Sequence, residues 1–172
     1  MPRFGVKKHI TFDAGHRVPD HGGKCFSPHG HTYKLELHVK GNVQVDGVEN
    51  GMVLDFTRIK EILTEIHDMF DHASIAYEMD WPYLVSLGEA NYYGFDDPSV
   101  PPVLIDRERG DENRYGWKVA VVPFVPTAEN LALWCFEYAT NRFKELNLPG
   151  TVTRADIWET PTSMACFPVN GD

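Results

Sequence analysis

One thiol and two imidazoles fall within seven residues in the run Lys24-Cys25-Phe26-Ser27-Pro28-His29-Gly30-His31. Thiolate and neutral imidazole are both zinc ligands and proton carriers. Segment 33–40 alternates cleanly, with Tyr33, Leu35, Leu37 and Val39 on one side and Lys34, Glu36, His38 and Lys40 on the other. Side chains two apart on a strand share a face. If the strand starts at His29, both imidazoles extend the apolar row, which suits a metal site better than a solvated surface. Gly30 between them leaves room for a close neighbour. Segment 4–16 alternates as well, with Phe4, Val6, Ile10, Phe12, Ala14 and His16 on one parity, broken only by Lys8. A turn-rich loop, 17–24, would join the two strands into an antiparallel hairpin and bring His16 opposite His29 and His31. Three neutral imidazoles with an open fourth position describe a catalytic zinc site. The same three with Cys25 as fourth ligand describe a closed structural one, and spacing leaves both open.

Further candidates lie outside the hairpin. Asp71-His72 stands at or just past the end of a helix, either as a proton-transfer pair or as a histidine answering the helix dipole beside a solvated aspartate. Glu159 sits among bulky residues, Ile157-Trp158 before it and Ala165-Cys166-Phe167 after it, where a carboxylate needs a partner. A salt bridge would satisfy it, and so would two parallel N–H donors from a guanidinium-like group. Thr127 suits a helix N-cap, with Glu129 in the first turn. His9, His21, His38 and His67 read as surface.

The elements that must position these groups follow from periodicity. Met52-Val53-Leu54 reads as a short strand. Asp55 or Thr57 then caps a helix whose apolar positions Ile59, Ile62, Leu63, Ile66, Met69 and Phe70 share a face. Residues from about 78 to 122 form an aromatic-rich excursion in which Val103-Leu104-Ile105 and 117–122 could pair as a hairpin, with a disordered or lid-like loop equally open. A second helix opens at Thr127, buries Leu131, Trp134, Cys135 and Tyr138, and stops at Pro149-Gly150. Strands over 151–159 and 163–169 close an α+β plan with the helices on one sheet face. At 172 residues, 1–172 reads as a single domain. Net charge −9 and pI near 5.3 argue against a nucleic-acid partner. No run approaches the roughly 18 apolar residues of a membrane span, and no apolar stretch follows the first charges to suggest a signal peptide. Three scattered cysteines do not resemble a disulfide framework, so the cytoplasm is the expected compartment.

These residues together carry a resemblance. Phe12-Asp13-Ala14-Gly15-His16-Arg17, Cys25-x3-His29-Gly30-His31, Gly51-Met52-Val53-x-Asp55-Phe56, Asp71-His72, Pro126-Thr127-Ala128-Glu129-Asn130-Leu131-Ala132 and Glu159-Thr160 follow the order and spacing of the 6-pyruvoyltetrahydropterin synthase / 6-carboxytetrahydropterin synthase family. The match covers roughly 4–75 and 124–168. The three residues between Cys25 and His29 look more like the bacterial 6-carboxytetrahydropterin synthases of the queuosine pathway. Two features depart from the pattern: Gly15 stands where a small Ala or Ser is usual, and segment 73–125 is longer than the family's connection.

The resemblance implies the tunnelling fold, in which each chain gives a four-stranded antiparallel sheet and two helices, and oligomerisation closes the barrel. It implies a homo-oligomer, a hexamer built as a dimer of trimers, with sites between subunits. It assigns one Zn2+ per subunit to His16, His29 and His31, proton transfer to Cys25, Asp71 and His72, and a pterin substrate to Glu159, with Thr127 and Glu129 in the same pocket. The implied reaction converts 7,8-dihydroneopterin triphosphate to 6-carboxy-5,6,7,8-tetrahydropterin, releasing acetaldehyde and triphosphate. A 6-pyruvoyl product is the alternative within the family, and a zinc-stabilised binding module without turnover is the alternative outside it. Arg17, Lys24 and Lys34 are the candidates to draw the anionic substrate to an acidic chain.

Overall fold

The computed structural model describes residues 3–87, 103–105 and 118–169. Two long strands, β1 (Arg3–His16) and β2 (His29–Asn42), form the expected hairpin, in register from Arg3 opposite Asn42 to His16 opposite His29. After α1 (Phe56–Phe70) come β3 (Ala73–Tyr77), α2 (Trp81–Ser86), β4 (Val103–Ile105) and β5 (Val119–Val122), then α3 (Ala128–Glu145), β6 (Thr151–Thr160) and β7 (Ser163–Phe167). The sheet order is β4-β5-β3-β1-β2-β6-β7.

The four antiparallel strands β1, β2, β6 and β7 expected from the sequence are all present. Three more extend the sheet beyond β1: β3 runs parallel to β1, β5 parallel to β3, and β4 antiparallel to β5. The β4–β5 pair is the hairpin anticipated within the excursion. Of the rest of that excursion, 78–87 carries α2, whereas 88–102 and 106–117 lie outside the described residues. One expected strand is absent. Met52-Val53-Leu54 is a bend, with Val53 and Leu54 buried in the core while Gln44 N–H donates to Met52 C=O at 2.9 Å.

Both long helices cover one face of the sheet. Asp55 caps α1 by accepting Thr57 N–H at 2.7 Å, and Ile59, Ile62, Leu63, Ile66, Met69 and Phe70 are its buried stripe. Thr127 caps α3, which buries Leu131, Ala132, Trp134, Cys135, Ala139 and Phe143. These meet Phe12, Tyr33, Leu35, Leu37, Val39, Ala155 and Ile157 of the strands in one core. Lys8, the break in the β1 pattern, lays its stem on this side with Nζ 5.9 Å from the centre of the Phe56 ring. Glu65 of α1 is held by α3: Arg142 donates to it twice, at 2.8 and 2.9 Å, and Tyr138 Oη–H donates at 3.0 Å.

The opposite sheet face carries ion pairs. Lys7 donates to Glu36 at 2.9 Å, His38 Nε2 lies 3.0 Å from Asp156, and Arg154 donates to Asp156 at 2.5 Å. His38, expected at the surface, is half-buried in this ladder because Asp156 beneath it is only 4% exposed and needs partners.

Candidate metal centre and active site

His16, His29 and His31 end the hairpin on its helix-covered parity, and their donor atoms lie within 4.8 Å of one another. Ring centres are 4.5 Å apart for His16–His29, 5.2 Å for His16–His31 and 5.0 Å for His29–His31. Two of the rings are oriented by backbone carbonyls. His16 Nδ1–H donates to Pro126 C=O at 2.6 Å, and His29 Nδ1–H donates to Ser27 C=O at 2.8 Å. That tautomer leaves each Nε2 as a lone pair, which is how metal-binding histidines are usually held. Nε2 of His16 and of His31 are buried and hydrogen-bonded to nothing. Orphan acceptors in a dry site are costly, and a divalent cation among the three would satisfy them. Burial, with smaller contributions from the other two imidazoles, pushes the His16 pKa down to about 4 against the opposing Pro126 bond. His16 is therefore neutral at pH 7, the form that binds zinc. Cys25 is not among the clustered donor atoms, an arrangement that fits three ligands with an open position better than a closed four-ligand site.

A cavity of about 310 Å3 opens over this cluster, lined in part by Cys25, Thr127, Glu129, Glu159 and Ser163. Cys25 is half-buried on a single 3-10 turn, Lys24–Phe26, and its carbonyl accepts Val18 N–H at 2.8 Å. Glu159 continues the β6 row of Ala155 and Ile157 and reaches the cavity with Oε1 3.8 Å from His16 Nε2. Thr127 and Glu129 come from the first turn of α3, whose preceding residue, Pro126, supplies the carbonyl that orients His16. Four of the expected groups, Cys25, Thr127, Glu129 and Glu159, thus meet the three histidines in one place.

Two residues there escaped sequence reasoning. Tyr33 shares the parity of His29 and His31 and reads as one more core aromatic, yet its buried hydroxyl has no partner. Burial and the charges of Glu159 and Cys25 raise its pKa far above the ordinary tyrosine range. His21, expected as surface, also lines the cavity while Gly23 N–H donates to its Nδ1 at 2.9 Å.

Asp71 and His72 are not in that cavity. Asp71 caps the C-terminus of α1, its Oδ1 accepts Asp13 N–H at 3.0 Å, and His72 Nδ1 lies 2.7 Å from Oδ2. Burial works to raise the Asp71 pKa, but the hydrogen bonds from Asp13 and His72 and the nearby His67 and His72 charges hold it below the usual aspartate value. His72 has φ +58°, a left-handed backbone uncommon for residues other than Gly, though His, like Asn and Asp, adopts it more readily than most. Its ring is 78% exposed and borders a second, wider cavity of about 510 Å3 with Asp13, Gly15, Gly30, Thr32 and Lys118. Gly15 and Gly30 face each other there, opening the floor on the helix-free side of the hairpin. A single chain therefore keeps Cys25 and His72 in separate cavities that share His31.

Two of the three expected anion-binding cations are engaged elsewhere. Arg17 is paired with the buried carboxylate of Asp80, and Lys34 lies on the helix-free face with Nζ 4.8 Å from the centre of the Trp158 ring. Lys24, beside Cys25, remains as a candidate. Glu36, His38 and Asp156 also have clustered donor atoms, but Lys7 and Arg154 already neutralise both carboxylates.

Comparison with known proteins follows the geometry. A family model described as 6-pyruvoyl tetrahydropterin synthase matches residues 5–169. The 6-carboxy-5,6,7,8-tetrahydropterin synthase of Haemophilus influenzae is 30% identical over 161 residues, covering 93% of this chain and 95% of that protein. The enzyme of the same name from Rickettsia conorii is 32% identical over 93% of this chain and 94% of its own. Among solved structures, uncharacterized protein WS1659 from Wolinella succinogenes superposes with a TM-score of 0.73 at 25% identity, over 96% of this chain and 98% of that one. The Caenorhabditis elegans 6-pyruvoyl tetrahydropterin synthase superposes at 0.61 and 20% identity, over 97% and 96%, and has the same tunnelling fold. Matched along nearly its whole length, the chain belongs to the 6-pyruvoyl tetrahydropterin synthase family.

Proposed function

We propose that the chain is a zinc-dependent lyase that converts 7,8-dihydroneopterin triphosphate and one water molecule to 6-carboxy-5,6,7,8-tetrahydropterin, acetaldehyde and triphosphate. The observation that carries this reading is the convergence of three imidazoles, two of them with buried, unpartnered Nε2 atoms, with Cys25 and Glu159 around one cavity. The names of the bacterial relatives favour the 6-carboxy product.

His16, His29 and His31 would hold the ion. Zinc bound there supplies a Lewis acid that lowers the pKa of the substrate's side-chain hydroxyls and polarises a developing carbonyl. Glu159 would accept two parallel N–H donors from the 2-amino-pyrimidinone edge of the pterin, a charge-assisted fork that fixes the ring. Thr127 and Glu129 would border that ring from the start of α3. Cys25 would remove a proton from the substrate side chain. His72, oriented by Asp71, would give or take the second proton. Because His72 borders a different cavity from Cys25, a neighbouring chain would bring it to the cavity that holds Cys25. Among the described residues β4 and β7 are the edges of the sheet, which supports assembly into closed barrels, as a hexamer of two trimers. Lys24 would meet the triphosphate.

Incubating the zinc-loaded protein with 7,8-dihydroneopterin triphosphate and identifying the products tests this directly. Acetaldehyde with 6-carboxytetrahydropterin is the expected outcome. A 6-pyruvoyl product with intact carbon chain would overturn the proposed reaction, and no turnover would favour a binding module.

A further inference from the structure

Arg17 follows the zinc-site residue His16, yet its guanidinium turns away from the cavity. Its Nε donates to Asp80 Oδ2 at 2.6 Å, and a terminal nitrogen donates to Oδ1. Asp80 is 5% exposed and the Arg17 side chain 13%. Two aromatic rings also lie against the guanidinium, Phe26 with its centre 5.0 Å from Cζ and Tyr83 at 5.3 Å. Asp80 opens α2, where its carbonyl accepts Tyr83 and Leu84 N–H at 3.0 Å. Tyr83 and Leu84 are buried with Ala76, Val119 and Val121 in a small second core between α2, β3 and β5. On the other side, Phe26 is the residue after Cys25.

We propose that Arg17, Asp80, Tyr83 and Phe26 form a clamp through which the insertion after β3 positions Cys25 for proton transfer. The turn that carries Cys25 buries none of its three residues, and Phe26 is 47% exposed. The turn thus has no core contact of its own to fix it. Its anchors are the backbone bond from Val18 and the cation–π contact of Phe26 with a guanidinium that Asp80 grips through two nitrogens. Only arginine meets both demands, because the planar fork binds a carboxylate bidentately while offering its faces to rings. Arg17 and Asp80 are positioning residues: neither reaches the cavity, and both act through the orientation of the Cys25 turn. The clamp matters for catalysis because a misplacement of about 1 Å can cost roughly 10²-fold in rate. Its catalytic consequence rests on the role proposed for Cys25, whereas its structural consequence does not.

The test is Asp80→Asn in the zinc-loaded, full-length protein, read by steady-state kinetics and by mass-spectrometric labelling of Cys25 with iodoacetamide. Cys166, half-buried on β7, serves as the reference within the same molecule. The expected result is a several-fold rise in labelling of Cys25 relative to Cys166. It should come with a fall in kcat of about tenfold, a fraction of the full misplacement cost, while KM and zinc content stay close to wild type. Phe26→Ala removes one stacking face without leaving a buried charge unpaired, and it carries the same expectation if Asp80→Asn does not fold. An unchanged Cys25-to-Cys166 labelling ratio in the folded variant overturns the clamp. If Cys25→Ala retained full turnover, the catalytic reading of Cys25 would fall, and the labelling ratio would still decide whether the clamp holds the turn.

Discussion

Cys25 and His72 border separate cavities within one chain, so the proposed chemistry requires Cys25 of one subunit to meet His72 of another. Complementation between two inactive variants puts a number on this. Cys25→Ala and His72→Ala should each lose roughly 10²–10⁴-fold in turnover, the usual worth of a positioned acid or base. Neither position supports the core, since Cys25 is half-buried on a turn and His72 is exposed, so both variants should assemble. In oligomers reassembled from an equal mixture, a composite site is intact when its cysteine comes from a His72→Ala chain and its histidine from a Cys25→Ala chain. Each condition is met half the time, so about a quarter of the sites recover in a symmetric assembly that mixes chains at random. Product formation from 7,8-dihydroneopterin triphosphate should rise from the background of either variant to about that fraction of wild type after the mixture is refolded together with zinc. If both groups acted within one chain, no hybrid site would be intact. Activity of the refolded mixture no higher than the mean of the two parents would therefore refute the shared site.

The remaining expectations concern single groups. Glu159→Gln replaces one acceptor of the fork with a mismatched donor and should cost about 2–4 kcal/mol, roughly 30- to 1,000-fold in affinity for a 6-carboxypterin by calorimetry; zinc content should not change, and an unaltered affinity would remove Glu159 from the pterin site. His29→Ala with His31→Ala should abolish zinc binding by metal analysis while leaving the hairpin folded, because both rings lie at its end and neither belongs to the main core; full zinc retention would exclude these ligands. Cys25→Ala should keep its zinc, and early melting with metal loss would instead mark Cys25 as a ligand. The Glu65 brace between α1 and α3 should be pH-dependent. The Arg142 hydrogen bonds, against burial and with help from Tyr138, hold the Glu65 pKa below the usual glutamate value. A depressed folded-state pKa stabilises above the unfolded pKa, near 4.3, and that stabilisation is lost as pH falls through the folded value. The melting-temperature gap between wild type and Glu65→Gln should thus be constant above about pH 5 and narrow as pH falls below about pH 4; a gap undiminished at pH 3 would show that the brace acts through packing.

What could be read from the chain was local or periodic. Alternation with period two placed His16, His29 and His31 on one parity, and a hairpin fixes the pairing once both strands are recognised, so His16 opposite His29 followed from pattern alone. The cap at Thr127 was legible, and that of α1 was narrowed to Asp55 or Thr57, because a capping side chain bonds within its own first turn. Tyr33 was placed correctly in the core, but its unpartnered hydroxyl was not legible, because parity reports burial and does not say whether a buried hydroxyl is satisfied. Val53 and Leu54 passed for a strand because a buried apolar pair looks the same in a bend as in a sheet. β3 was missed because a strand of five residues, paired in parallel with distant segments, leaves little periodicity to detect. Arg17 marks the limit most clearly. Beside a zinc ligand in an acidic chain, an arginine is naturally read as an anion trap. The residue that decides otherwise, Asp80, is 63 positions away in an insertion with no repeating pattern. Its buried carboxylate cannot stay unpaired, so the charge of Arg17 is spent on holding the turn that carries Cys25, and the substrate's phosphates must be met by another cation.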